Sequence, residues 1–233
     1  TAGVRSVYSD LGFIVLGGLV EQRAQDRLDD LLARWLGPLD LALSFRPLDR
    51  HVLPDETRCA PTRRESGARE PLQGVVHDDT ARAMLGVAGH AGLFAQSESV
   101  YRLARALLDC YHDAPSAPAR ALGLRSTTVR RFFHSPGIAG LPGTWGLGFD
   151  HPDPLLTGMP CTSSAGSLWS RLGVGHLGFT GCSLWMDPHR GLIAVLLSNR
   201  VHVESTLAAE SSKVALRALR PALHDAIMRS QSP

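Results

Sequence analysis

The run Leu192-Ile-Ala-Val-Leu-Leu197 constrains the fold of this chain more than any other segment. It follows Asp187-Pro-His-Arg-Gly191, whose composition suits a turn, so the two together read as one arm of a hairpin and its connection. Successive residues of a strand face opposite sides of the sheet. A strand that is apolar throughout therefore needs cover above and below, and in an antiparallel hairpin that cover comes from helices. The same run is far short of the roughly 18 apolar residues that a membrane span requires.

Helical patterns upstream and downstream can supply the cover. Leu11 to Arg34 predicts a helix, with Leu11, Ile14, Val15 and Leu19 on one stripe, continued by Leu28, Leu31, Leu32 and Trp35 after Asp26. Ser9 or Asp10 suits its N-cap, and Gly37-Pro38 stops it. Residues 40–78, with Pro47, Pro54, Pro61 and Pro71 and no sustained period, read as loops and short turns. Asp78-Asp79 caps a short helix through Leu85, a glycine-rich turn spans 86–92, and an amphipathic helix runs from about Glu98 to Tyr111. Ser126 opens a further short helix that ends in the Pro/Gly-rich stretch from Pro136 to Gly143.

From there the period changes. Trp145 to Phe149 predicts a strand, a Ser/Gly loop runs to Gly175, and His176 to Met186 predicts the first arm of the hairpin. Val203 to about Leu219 predicts a closing helix, broken by Pro221. Helices first, antiparallel strands late and a final helix make an α+β layout, mainly helical over 1–135 and strand-bearing over 144–233.

Composition removes several function classes. A net charge of +2 gives no dense basic face for nucleic acid. The four cysteines, at 59, 110, 161 and 182, form no Cys-x-x-Cys pair, and the ten histidines show no His-x-x-x-His spacing, so neither a metal nor another cofactor is expected. There is no phosphate-binding Gly-Lys-Ser loop and no Gly-x-Ser-x-Gly elbow; Gly181-Cys-Ser-Leu-Trp185 is the nearest approach to the latter. Lys213 is the single lysine among 24 basic residues, so any lysine chemistry within the chain falls on it.

Two segments hold groups that could act on a ligand. Tyr8-Ser9-Asp10 precedes a helix, where a phenol and a carboxylate could meet a substrate; the simpler alternative is that Asp10 caps the helix and Tyr8 packs. His176-Leu-Gly-Phe-Thr-Gly181 opens a strand in which glycines recur at 173, 175, 178 and 181. Each costs backbone entropy, a cost that makes sense where a ligand or another backbone comes close, as in an oxyanion hole, or at a simple bulge. His90, in Gly89-His-Ala-Gly92, reads as a hydrogen-bonding residue of a loop.

The order of these segments resembles that of the penicillin-recognising serine hydrolases, the class C β-lactamase-like, D-aminopeptidase-like and esterase-like group. Tyr8-Ser9-Asp10 is similar to the family's Tyr-x-Asn motif, and His176-Leu177-Gly178 to its Lys-Thr-Gly element. Ala60-Pro61-Thr62, Gly74-Val-Val-His-Asp-Asp79, Gly86-Val-Ala-Gly-His-Ala-Gly-Leu-Phe94, Trp145-Gly-Leu-Gly-Phe-Asp150, Gly178 to Pro188 and Leu197-Ser-Asn-Arg200 resemble its linking and strand segments. The resemblance implies a β-lactamase/transpeptidase-like fold, an antiparallel sheet flanked by helices plus a helical region, and an acyl-enzyme mechanism on an ester, amide, peptide or β-lactam. It implies that Tyr8 relays a proton, that Asp10 and His176 face the substrate, and that the backbone N–H of Phe179, after Gly178, serves an oxyanion hole.

The family's nucleophile lies in Ser-x-x-Lys ahead of the tyrosine motif. Lys213 has Glu210 three places before it, so no Ser-x-x-Lys occurs in the chain. The resemblance therefore implies that the chain is the C-terminal portion of a longer hydrolase, inactive alone, whose partners are a small acyl substrate and an N-terminal segment of the same protein. A non-catalytic binding module or a degenerate remnant is the alternative. Neither a nucleic acid nor a membrane span is expected.

Overall fold

The computed structural model describes residues 4, 7–50, 58–65, 67–134, 145–152, 164–202 and 206–230. Helices occupy Asp10–Ala24 (α1), Leu28–Leu36 (α2), Asp79–Ala83 (α3), Ser97–Tyr111 (α4), Ala117–Leu122 (α5), Ser126–His134 (α6) and Thr206–Ser230 (α7). Strands occupy Leu43–Phe45 (β1), Leu93–Ala95 (β2), Val174–Leu177 (β3), Ser183–Asp187 (β4) and Leu192–Leu196 (β5). β1 and β2 form a small antiparallel pair, and β3, β4 and β5 a second antiparallel sheet in that order. The expected α+β layout is what the chain adopts.

β5 has the helical cover that its sequence demands. On one face Ile193, with Met186 and Val174 from its neighbours, packs into the cluster built by Leu108, Leu122, Val129 and Phe133 of α4, α5 and α6. On the other, Leu192 and Ala194 join Trp169, Trp185 and the α7 residues Ile227 and Met228. The β4–β5 turn is closed by Asp187, whose Oδ1 accepts from the N–H groups of His189 and Arg190, and Gly191 adopts φ +66° there.

Several boundaries differ from expectation, each for a local reason. The helix expected over Leu11 to Arg34 is two helices, because Gln25 turns left-handed at φ 53°. Glu21 Oε1 accepts from the Leu28 N–H, and Asp26 Oδ1 accepts from Arg27, so side chains compete with the helical ladder at that point. The apolar stripe of α1 is not core: Leu11 is 69% exposed, Val15 and Leu19 are exposed too, and Gly17 is its buried residue. Gly17 lies against the Gly89 backbone, where a Cβ on Gly89 would sit 2.1 Å from the Phe13 carbonyl oxygen. Gly89 cannot carry a side chain without parting α1 from the glycine-rich turn, and Gly17 is tight there too, a Cβ on it meeting the Gly89 nitrogen at 3.2 Å.

The arm expected over His176 to Met186 is itself a hairpin, β3 turning into β4. Gly178 N–H donates to the Cys182 carbonyl, Gly181 N–H to the Gly178 carbonyl, and Gly181 takes φ +117°. Trp145 to Phe149 is a tight turn between bridge partners Trp145 and Asp150 rather than a strand. β1 lies in the stretch read as loops, and β2 and α5 in stretches to which the sequence assigned no element; each is six residues or shorter. Pro221 falls inside α7 without ending it, since His224, Asp225 and Met228 beyond it are all buried. The Pro/Gly-rich stretch from Pro136 to Gly143 and Cys161 lie outside the described residues. Among the described residues, no helix is long and apolar enough to cross a membrane.

Candidate active site

Ser9 caps α1, its Oγ accepting from the Leu11 N–H, so the cap that sequence left open between Ser9 and Asp10 falls to Ser9. Asp10 becomes the first residue of the helix and remains exposed, with Tyr8 just ahead of the cap. The far downstream strand β3 brings His176 to the same place. The Tyr8 and His176 ring centroids are 6.3 Å apart, and Trp145 lies beside both, at 5.1 Å from Tyr8 and 5.2 Å from His176. The start of the first helix and the glycine-spaced strand thus converge, although 168 positions separate Tyr8 from His176.

Burial against these rings, with the Asp10 carboxylate close by, raises the Tyr8 phenol above its usual value of 10.0. No cation contributes to that shift, so among the described residues the phenol has nothing that would make it a base at neutral pH. His176 Nδ1 lies 2.7 Å from the Leu177 carbonyl, which can only accept, so Nδ1 carries the hydrogen and the neutral ring keeps its lone pair on Nε2.

Beyond His176 the chain is clamped. Arg220, on α7, donates from Nη2 to the Gly178 carbonyl at 2.8 Å and from Nε to the Gly181 carbonyl at 3.0 Å. Arg200 donates from Nε to the Phe179 carbonyl at 2.6 Å, and its guanidinium lies 4.2 Å from the Phe179 ring centroid. His77 stacks on the same ring at 5.5 Å, with its imidazole held below its usual pKa by burial and by Arg63. Phe179 is held by its carbonyl and its ring, and its N–H has no acceptor among the described residues. A free, fixed backbone donor at this point is what an oxyanion requires.

The glycines divide by role. A Cβ on Gly175 would lie 2.4 Å from the Leu184 carbonyl oxygen and from the Trp185 ring, and one on Gly181 would lie 2.3 Å from Ser198 Oγ. Those two serve close packing within the protein. Gly178 is freer, its nearest such contact being Cys182 Cβ at 3.3 Å.

Other polar pairs are structural. His90 Nε2 lies 3.0 Å from Asp78 Oδ1, the carboxylate that also caps α3 by accepting from Ala81. Ser183 Oγ and His224 Nε2 are 3.0 Å apart, the spacing of an activated serine. Both are buried, so no carbonyl substrate reaches them, and the bond pins α7 to β4. Among the described residues no group of three or more His, Cys, Asp or Glu side chains could hold a metal. An open apolar groove of about 700 Å³ lies between residues 198–200, including the Arg200 that clamps Phe179, and the 212–219 stretch of α7.

Sequence reasoning did not assign Trp145, His77, Arg200 or Arg220 to this region. Trp145 and Arg200 were visible in the Trp145-Gly-Leu-Gly and Leu-Ser-Asn-Arg200 phrases, but only as parts of strand signatures.

Comparison with known proteins identifies the family and the fold. The profile of the family described as Beta-lactamase matches residues 1–218. A putative D-alanyl-D-alanine carboxypeptidase of Escherichia coli strain K12 is 28% identical over 216 residues, 86% of this chain and 46% of its own length. An N-acetylmuramyl-L-alanine amidase of Bacillus subtilis is 29% identical over 221 residues, covering 86% of this chain and 45% of its own. Among solved structures, a β-lactamase from Mycobacterium bovis superposes with a TM-score of 0.60 at 19% identity, covering 98% of this chain and 65% of that one. Simvastatin synthase from Aspergillus terreus superposes with a TM-score of 0.61 at 18% identity, covering 99% and 57%. The chain belongs to the β-lactamase family of serine hydrolases and has its β-lactamase/transpeptidase-like fold. It spans about half the length of the curated relatives it matches.

Proposed function

We propose that these residues form the C-terminal part of a serine hydrolase that cleaves an ester, amide or peptide through an acyl-enzyme, with its serine and lysine on polypeptide outside them. The observation that carries this reading is the meeting of Tyr8 with His176, three residues ahead of a Phe179 N–H that has no acceptor among the described residues, in a chain without Ser-x-x-Lys. The serine would attack the carbonyl carbon, and the oxyanion would take hydrogen bonds from Phe179 N–H and from the serine's own N–H. One such donor is worth about 3–4 kcal/mol. Tyr8 would pass the serine proton to the leaving group, and water would then release the acyl group.

Burial and the Asp10 carboxylate shift the Tyr8 phenol upward. A phenol shifted upward by burial and by a neighbouring carboxylate cannot take a proton until a positive charge such as the motif lysine comes close. Within these residues alone the chemistry is incomplete, so the isolated chain should not react with a fluorophosphonate probe. Covalent labelling of any of its serines would count against the reading.

The substrate preference follows from two side chains. Asp10 stands where the motif carries an asparagine amide, and His176 where it carries a lysine, so a substrate carboxylate meets a carboxylate and an imidazole in place of an amide and an ammonium group. An ester, amide or peptide fits better than a β-lactam. A serine-bearing form should cleave p-nitrophenyl acetate or D-alanine p-nitroanilide faster than nitrocefin, and Tyr8→Phe should lower kcat by about 10² or more. Fast nitrocefin turnover without esterase or peptidase activity would overturn the preference. An unchanged kcat in Tyr8→Phe would remove the proton relay. Tight ligand binding without turnover in a serine-bearing form would make the protein a binding module instead.

A further inference from the structure

We propose that Trp145 is a positioning residue that fixes the Tyr8 phenol against His176. This rests on the reading of Tyr8 as the proton relay, and it names what holds that relay in place. Tyr8 precedes α1, is 59% exposed, and its hydroxyl has no hydrogen-bond partner among the described residues. Its location is therefore set by ring packing, and the rings against it are those of Trp145 and His176.

Trp145 is anchored where Tyr8 is not. Gly146 N–H donates to the Phe149 carbonyl at 2.7 Å and Gly148 N–H to the Gly146 carbonyl at 3.1 Å, closing a turn in which Gly148 takes φ +83°. The turn brings Trp145 opposite Asp150, and Asp150 exchanges two backbone hydrogen bonds with Gly175, at 2.7 and 2.9 Å. Gly175 immediately precedes His176. A short ladder thus links Trp145 to the strand that carries the histidine, and the indole reaches from it to the phenol. The same turn passes near α1, since a Cβ added to Gly148 would lie 4.0 Å from the Phe13 ring, and Trp145 is its residue that packs on Tyr8.

The test separates positioning from general stability. In the chain itself, aromatic NOE contacts between Tyr8 and His176 should be lost in Trp145→Leu and kept in Trp145→Phe. The Tyr8 titration midpoint should fall back toward its ordinary value in the first variant and not in the second. Trp145→Met, nearer in volume, carries the same expectation as Trp145→Leu should that variant fail to fold. In a serine-bearing form Trp145→Leu should lower kcat about ten- to a hundred-fold, with KM changed less than about two-fold. Tyr8–His176 contacts that persist in Trp145→Leu or Trp145→Met would overturn the proposal. Lost contacts with an unchanged kcat would leave Trp145 as the positioning residue and remove Tyr8 from the reaction, so failure of the hydrolase reading is distinguishable.

Discussion

His224, on the buried face of α7, has no solvent exposure and lies against Ser183, and burial is the main cause holding its imidazole below the usual 6.5. The folded protein therefore binds its proton less readily than the unfolded chain does. Stability from this residue is complete above pH 6.5 and is lost as the pH falls below it, toward the depressed folded value. His77 and His134 are shifted the same way, chiefly by burial, and add to the loss. His224→Gln, which can keep a hydrogen bond to Ser183, should flatten part of the fall in denaturation midpoint between roughly pH 6.5 and 5. A midpoint profile identical to the parent's would mean that His224 does not supply that share. A second residue-scale expectation concerns Gly175. A methyl group there meets both the Leu184 carbonyl and the Trp185 ring, so Gly175→Ala should destabilise by about 1–3 kcal/mol in urea unfolding.

The sequence showed that Gly175 and Gly181 carried a cost but not what offset it. A glycine in a strand reads the same whether a ligand or a neighbouring side chain comes close. Only the pairing of β3 with β4, which sets Gly175 opposite Trp185, decided for packing. His176 and Tyr8 were legible because each sits in a short ordered motif. Trp145 was not, because nothing in Trp-Gly-Leu-Gly distinguishes an indole in a core strand from one that reaches over a cleft.

At the scale of elements, α7 shows how a helix outlasts a proline. Asp225 lies four residues beyond Pro221, and its carboxylate accepts from the Ser167 N–H at 2.8 Å, the Ser167 hydroxyl at 2.6 Å and the Leu168 N–H at 3.0 Å. Burial pushes the Asp225 carboxyl upward, but these hydrogen bonds outweigh it and hold the group below the usual 3.8. Gly166 fits the same lash, since a Cβ there would be 2.3 Å from Asp225 Oδ1 and its φ is +101°. The break expected at Pro221 rested on local cost alone; the anchor four residues on has no sequence signature. Asp225→Ala should remove the charged acceptor of all three donors and cost about 1.5–3 kcal/mol, lowering the melting temperature by several degrees. A change under about 0.5 kcal/mol would show that α7 holds without the lash. Helices α2, α4 and α6 were legible because their apolar residues keep to one face; β1 and β2, at three residues each, are too short to carry a period.

At the scale of the molecule, the apolar stripe on α1 has nothing over it among the described residues. Leu11, Val15, Leu16 and Leu19 are all more than half exposed, and the three-stranded sheet ends on β5, an apolar strand with no lysine, proline or bulge to guard its edge. Exposed apolar surface of this kind drives association. The isolated chain should elute above its 25.1 kDa mass in light-scattering chromatography, and Val15→Glu with Leu19→Glu should shift it toward the monomer without lowering its melting temperature. A monomer at every concentration would show that the stripe is not sticky.

What the sequence settled by itself was the need for helices on both faces of β5 and the family, and it named Tyr8 and His176, which the fold brings together. Those properties live in side-chain type and order, which the chain carries whatever its shape. Tertiary structure decided which glycines serve packing, that Trp145 lies beside both the phenol and the imidazole, and that the first helix turns its leucines outward. Each of those depends on contacts between segments far apart in the chain, and a linear pattern records the residues of such a contact but not their meeting.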